Sequence, residues 1–257
     1  MTMKLILHAD DAGRSMAVND RILELMGKEL LSSASIVATG SAMENFAQRI
    51  VAFPRCSLGV HLFLDEFMPV TDLSAFSFAI KEDGCFREKA RAYVYSPTFK
   101  RAIKTEWISQ IERVRSQGIQ VSHLDSHHHI HTFHPLFFVL KEVQRETGVR
   151  KVRLSMNCYA PPASRVLLLK KAMFNWALRH YVPTCTTSNF TDFRTFHALL
   201  SMGRLKEMQC LEIMMHPAAG TYMKAPEPYE AEIRLLQDGW QQRMPMDWEL
   251  CSYNDLA

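Results

Sequence analysis

Gln120-Val121-Ser122-His123-Leu124-Asp125-Ser126-His127-His128-His129-Ile130-His131 is the stretch from which the rest of the chain can be read. Its first seven residues predict a strand, Gln120–Ser126, that runs straight into polar side chains. Five of the chain's 11 histidines fall in nine residues here, in mid-chain and just ahead of a helical pattern. Neutral imidazole is the commonest protein metal ligand, and a carboxylate among the rings suits a hard or borderline divalent cation. A solvated turn whose histidines only cap the next helix is the plainer alternative. Successive strand residues point to opposite faces, so His123, Asp125 and His127 share one face and Ser126 and His128 the other. His127, nearest the strand end on that face, is the best ligand of the run. His123 lies too deep, and Asp125 suits the orienting of an imidazole.

Other segments end in the same way. Strands are predicted at Lys4–Ala9, Ser33–Thr39, Ser57–Leu64, Gln120–Ser126, Lys151–Ser155, Val182–Thr187 and Gln209–Met215. At or just past their ends stand Asp10-Asp11, Thr39, His61, His127, Arg153, Asn189 and His216. Between and after them lie helical patterns at Val18–Glu29, Met43–Val51, Thr98–Gln117, Pro135–Thr147, Ser164–Arg179, Phe193–Ser201 and Pro228–Asp238. Strands alternating with amphipathic helices imply a parallel sheet wound by right-handed crossovers. Seven strand signals in 257 residues favour a single-domain α/β fold of the β/α-barrel (TIM-barrel-like) kind, in which active sites form at the carboxyl ends of the strands. No G-x-G-x-x-G follows the first strand, which disfavours a dinucleotide fold. The stretch 65–97, after the third strand, breaks the rhythm and reads as an inserted loop region of the kind that forms lids or binding loops.

Composition narrows the classes. A hydrophobic content of 47% with 22% charged residues is ordinary for a globular chain. A net charge of +3 with no clustered basic face argues against a nucleic-acid partner, and Lys170, Lys171 and Arg179 read as one solvated helix face. The six cysteines show no C-x-x-C spacing, which suggests a reducing compartment without a disulfide framework. No apolar run approaches about 18 residues, so no membrane span is expected and the default location is cytoplasmic. For oligomeric state only the base rate speaks, and it favours a homodimer.

Each candidate has a plain reading beside the functional one. Asp10 and Asp11 can both reach one cavity only if the chain turns there, which Gly13 permits; otherwise one of them caps the next helix. His61 is a lone polar residue in an apolar strand and would by itself be a satisfied core histidine. His216, pushed to the rim by Pro217, could act as a general acid or be a surface residue before a turn. Phe133, Tyr159, Phe190 and Tyr222 could stack on a bound ligand or simply pack.

The motifs His8-Ala9-Asp10-Asp11-Ala12-Gly13-Arg14-Ser15, Gly59-Val60-His61-Leu62, His123-Leu124-Asp125-Ser126-His127-His128-His129 and Glu212-Ile213-Met214-Met215-His216-Pro217, in that order, resemble those of the YdjC-type carbohydrate deacetylases. The resemblance implies a seven-stranded β/α barrel distantly similar to the NodB-type polysaccharide deacetylases, acting on an N-acetylated sugar to release acetate. It also implies a divalent metal, magnesium or zinc, held by one Asp and two His. By motif those ligands are Asp11, His61 and His127, with Asp10 as base, His216 as acid, and Asp125 and Arg153 as supporting or substrate-facing residues. The chain departs from the family where Asp-Asp-Phe-Gly-Leu-Ser becomes Asp10-Asp11-Ala12-Gly13-Arg14-Ser15, and where a Cys and a Gly in the last motif become Met215 and Ala218. Two competing readings are a barrel amidohydrolase or phosphoesterase using His129-Ile130-His131 as a ligand pair, and an inactive sugar-binding descendant.

Overall fold

A parallel sheet covered on both faces needs nearly continuous apolar strands. The first, β1 (Met3–Ala12), is buried throughout from Leu5 to Ala12. The computed structural model describes residues 2–87, 96–160, 162, 164–182, 184–218 and 227–256. Tyr222 and the last part of the inserted stretch, 88–95, lie outside the described residues. After β1 come α1 (Met16–Gly27), β2 (Ser33–Ile36), α2 (Met43–Ile50) and β3 (Ser57–Leu62). Next are α3 (Pro97–Arg115), β4 (Val121–Ser126), α4 (Phe137–Thr147) and β5 (Lys151–Val152). The chain continues through α5 (Arg165–His180), β6 (Asn189–Asp192), α6 (Phe193–Ser201), β7 (Cys210–Met215), α7 (Glu227–Leu236) and β8 (Trp248–Leu250).

Seven strands pair in the order β5-β4-β3-β2-β1-β7-β6, every pair parallel, and curl into a half-barrel with helices around it. The two ends of this row approach each other through an isolated parallel bridge between Lys151 and Cys185. The short β8 was not anticipated; it pairs with β1 at Met3–Leu5, below the point where β2 joins β1 at His8. No helix among the described residues is long and apolar enough to cross a membrane.

Four predicted strands stop early or lie elsewhere: β2 stops at Ile36 instead of Thr39, β3 stops at Leu62 instead of Leu64, and the other two differ more. The predicted Val182–Thr187 makes only the Cys185 bridge, and pairing as a strand starts at Asn189. Val182 sits at φ 54, which breaks an extended run, and Thr184 Oγ1 turns back to bond Val182 O and Gln144 Oε1. The fifth strand stops at Val152 because the Ser155 N–H is taken by the Asn175 side chain of α5 at 2.9 Å.

The described part of the inserted stretch, 65–87, is docked rather than loose. Phe76 meets Phe86 and Phe99 edge-on at 5.1 and 5.6 Å, and the buried Glu106 of α3 accepts the backbone N–H groups of Val70 and Thr71. In the barrel interior Gly59 faces His123, and a Cβ there would lie 2.4 Å from His123 Nε2.

Candidate metal centre and catalytic site

A bulge in β1 between Ala9 and Ala12 builds the first half of the site. Asp11 takes φ 66 within it, a left-handed conformation that costs a non-glycine residue of order 1–3 kcal/mol. The turn required for Asp10 and Asp11 to face one cavity therefore falls on Asp11 itself, with Gly13 following at φ 83. Neither aspartate caps α1, because Ser15 does so by accepting from Val18 N.

Asp11, His61 and His127 converge. Asp11 Oδ1 lies 3.6 Å from His61 Nε2 and 3.4 Å from His127 Nδ1, and one ligand atom from each of the three falls within 4.8 Å of the others. All three residues are buried. His61 and Asp125 are register partners on β3 and β4, and His61 Nδ1 donates to Asp125 Oδ1 at 2.9 Å. That bond leaves His61 Nε2 as a lone-pair face turned toward Asp11, buried and without a hydrogen-bond partner. Two imidazoles, one carboxylate and an orphaned buried nitrogen are the donor set of a borderline divalent cation, so the residues fit one. Burial opposes charge on Asp11, but His127 and His61 hold its carboxyl far below the usual range. Burial likewise opposes charge on His127, yet Asp11 and Glu66 push it up to about 10. The field that favours a proton on His127 favours a cation among the three.

Beside this cluster lies a buried ionic network. Arg153 is fully buried and grips Asp10 with both Nη atoms at 3.0 and 2.8 Å. It also meets Asp125 Oδ2 at 2.8 Å and Glu212 Oε1 at 2.7 Å. Burial works against the Asp10 charge, and Arg153 followed by His61 overcomes it, so Asp10 stays ionised below the usual carboxylate range. His216 Nε2 stands 3.7 Å from Asp10 Oδ2, and burial lowers its pKa against the pull of Asp10 and Asp11. Its backbone N–H donates to Glu232 Oε2 of α7 at 3.4 Å, and its ring meets Tyr229 edge-on at 5.7 Å.

The structure thus brings Asp10, Asp11, His61, His127, Asp125, Arg153 and His216 into one site. The H-x-H pairing of His129 and His131 fails on geometry. His131 has both ring nitrogens committed, Nδ1 to Ser126 Oγ at 2.5 Å and Nε2 to the Arg153 carbonyl at 3.1 Å. Phe190 is 1% exposed and lies under Arg153, so it packs and offers no open sugar platform.

Four groups escaped the sequence reading. Glu66 of the inserted stretch lies 3.4 Å from His127 Nε2 and 3.2 Å from Arg14 Nη2, and His127 leads the contacts that hold its carboxyl at about 2. Asp65 accepts from His128 at 2.7 Å. Glu212, fully buried, takes the Tyr253 hydroxyl at 2.5 Å. His8 bridges Ser33 and Ser35 at 2.9 and 3.1 Å. A charge inside the apolar run Leu211–Met215, and two acids directly after the third strand, were the signals available for Glu212, Asp65 and Glu66.

The carbohydrate deacetylase of Geobacillus stearothermophilus is 30% identical over 221 residues, covering 83% of this chain and 78% of that protein. That of Halalkalibacterium halodurans is 32% identical over 146 residues, 56% of this chain. The chain spans 61% of the length of that relative and 63% of a second, from Oceanobacillus iheyensis. A crystal structure from Enterococcus faecalis V583, assigned provisionally to cellobiose-phosphate cleavage, covers 99% of this chain and superposes with a TM-score of 0.78 at 22% identity, a likeness of fold. The profile described as YdjC-like protein matches residues 4–247, nearly the whole length, and the chain belongs to that family.

Proposed function

We propose that this chain is a metal-dependent carbohydrate deacetylase that hydrolyses the N-acetyl group of an amino sugar or short oligosaccharide, giving acetate and a free amine. The observation that carries the reading is the convergence of Asp11, His61 and His127 beside Asp10 and His216. The activity named for its relatives supports the same chemistry.

Asp11, His61 and His127 would hold the cation, magnesium or zinc. When bound it would supply Lewis acidity to the amide carbonyl and lower the pKa of a water from about 15.7 toward roughly 7. Asp10, kept ionised by Arg153, accepts the proton of the attacking water as the new C–O bond forms. His216 delivers a proton to the amide nitrogen as the C–N bond breaks, which a poor amine leaving group requires. Asp125 holds the tautomer and orientation of His61, and Arg153 fixes Asp10 relative to Asp125.

The test is acetate release from N,N′-diacetylchitobiose and a panel of N-acetylated sugars, after chelation and defined reloading with zinc or magnesium. Loaded protein should release acetate, stripped protein should not, and Asp10→Asn should fall by roughly 100- to 10,000-fold. Loaded protein that binds the sugars but releases no acetate would overturn the reading in favour of a sugar-binding descendant.

A further inference from the structure

The inserted stretch brings two acids against the far side of His127. Asp65 Oδ2 accepts from His128 Nδ1 at 2.7 Å, Glu66 Oε2 stands 3.4 Å from His127 Nε2, and Glu66 Oε1 stands 3.9 Å from His128 Nε2. Asp65 and His127 are each 3% exposed. An ion pair accounts for the contact between Asp65 and His128, but it leaves two buried atoms over. Asp65 Oδ1 and His127 Nε2 have no hydrogen-bond partner among the described residues. Buried polar atoms are nearly always bonded, so two orphans in one cluster point to a ligand that bonds both.

Asp65, His127 and His128 each present one ligand atom within 4.8 Å of the others. Donor atoms bound tetrahedrally to zinc at about 2.0–2.2 Å lie roughly 3.3–3.6 Å apart, which is the spacing of His127 Nε2 and Glu66 Oε2. Two imidazoles and two carboxylates suit a borderline divalent cation. Magnesium, which demands oxygen ligands in an octahedron, suits them poorly. Charge points the same way. Arg14 Nη2, 3.2 Å from Glu66 Oε2, offsets one of the two acids, and a divalent cation offsets the other.

We propose that Asp65, His127 and His128, with Glu66 as fourth ligand, bind a second divalent transition cation of the zinc class, joined to the Asp11–His61–His127 centre through the His127 ring. His127 turns Nδ1 to Asp11 at 3.4 Å and Nε2 to Glu66, so one imidazole serves a cation on either side. The second cation takes the place of the Nε2 proton, which passes to solvent, and the ring becomes a bridging imidazolate. Glu66 and His128 sit at φ 61 and 49, and these left-handed turns aim their side chains at the same point. The acids come from the inserted stretch and the rings from the turn after β4, so the cation fastens one to the other. The bridge rests on the ligand set given above for the catalytic cation. The second site itself rests on Asp65, Glu66 and His128, none of which that set uses.

The test is equilibrium dialysis of the full chain against zinc at low free concentration, with bound metal counted by atomic absorption. Wild type should hold two zinc ions per chain. The His128 side chain is 47% exposed, so His128→Ala leaves the core intact; it should hold one ion, with the lost site weakened at least roughly 100-fold. Asp65→Asn should lose the same ion, and circular dichroism checks that each variant is folded. His61→Ala should also hold one, at the second site. A His61→Ala protein that keeps both ions, beside a His128→Ala protein that loses one, would overturn the catalytic ligand set and support this site. One zinc in wild type, or two that survive both His128→Ala and Asp65→Asn in folded protein, overturns the proposal.

Discussion

Replacing Glu232 by Gln should stabilise the protein by an amount that grows with pH. Glu232 lies on α7, 2% exposed, and its Oε2 accepts the His216 N–H. Burial pushes its carboxyl up to about 8, with the His216 N–H and Arg194 only partly opposing and Asp192 and Asp10 adding to the rise. In the unfolded chain the same group ionises near about 4.3. Below that pH both states hold the proton and the group contributes nothing. Between roughly 4.3 and 8 the unfolded chain releases its proton and the folded chain keeps it, so folding loses about 1.4 kcal/mol per pH unit. Above 8 both states are ionised and the loss levels off at roughly 5 kcal/mol, an upper bound for a site that cannot relax. Gln keeps an acceptor for the His216 N–H and never ionises. The stability gained by Glu232→Gln should therefore be near zero at pH 4, roughly 2 kcal/mol at pH 6 and roughly 4–5 kcal/mol at pH 8. Urea unfolding of both proteins at several pH values, with equal m, measures the difference. A gain that stays constant with pH, or a loss at pH 8, would refute the argument and show that Glu232 sits ionised and paired in the folded protein.

Two further substitutions probe the buried network. Asp125→Asn keeps an acceptor for His61 Nδ1 but turns an amide toward Arg153, so zinc affinity by titration calorimetry should weaken roughly 10- to 100-fold; an unchanged Kd would remove Asp125 from the centre. Tyr253→Phe strands Glu212 Oε2 at a cost of about 1–3 kcal/mol. Through Arg153 it should also raise the pH at which acetate release falls off on the acid side, as Asp10 loses part of its stabilisation. Lost stability with an unmoved pH profile would leave Tyr253 a packing residue alone.

The helices were legible because their signals are local. Ser15, Ser164 and Asp192 cap α1, α5 and α6, Gly148 ends α4, and α6 spans the same residues that periodicity marks. Strand bodies were legible for the same reason, since Leu5, Ile6 and Leu7 or Leu58 to Leu62 can hardly be anything else. Strand ends were not. Whether Ser155 or Val182 continues a ladder depends on partners distant in sequence, Asn175 in one case and, reached through the neighbouring Thr184, Gln144 in the other. Chemical identity pointed to Asp11, His61 and His127, but the grip of Arg153, just past β5, on Asp10, Asp125 and Glu212 ties it to three other strands and has no local signature.

The limit of the strand-parity rule has one physical origin. Of the seven non-glycine residues at positive φ among the described residues, four, Asp11, Glu66, His128 and His129, surround the site. Alternation places His123 and Asp125 inside the barrel correctly, because β4 is regular there. It fails two residues past the strand, where His128 and His129 turn left-handed and send His128 toward Asp65 while His127 stays with Asp11. Each such conformation costs of order 1–3 kcal/mol and persists only where surrounding contacts hold it. Those contacts are the carboxylates of Asp65 and Glu66, which the inserted stretch supplies and α3 anchors through Glu106. The insertion is thus part of what holds the histidine run in shape, so the site depends on residues far from any strand end as directly as on the ligands themselves.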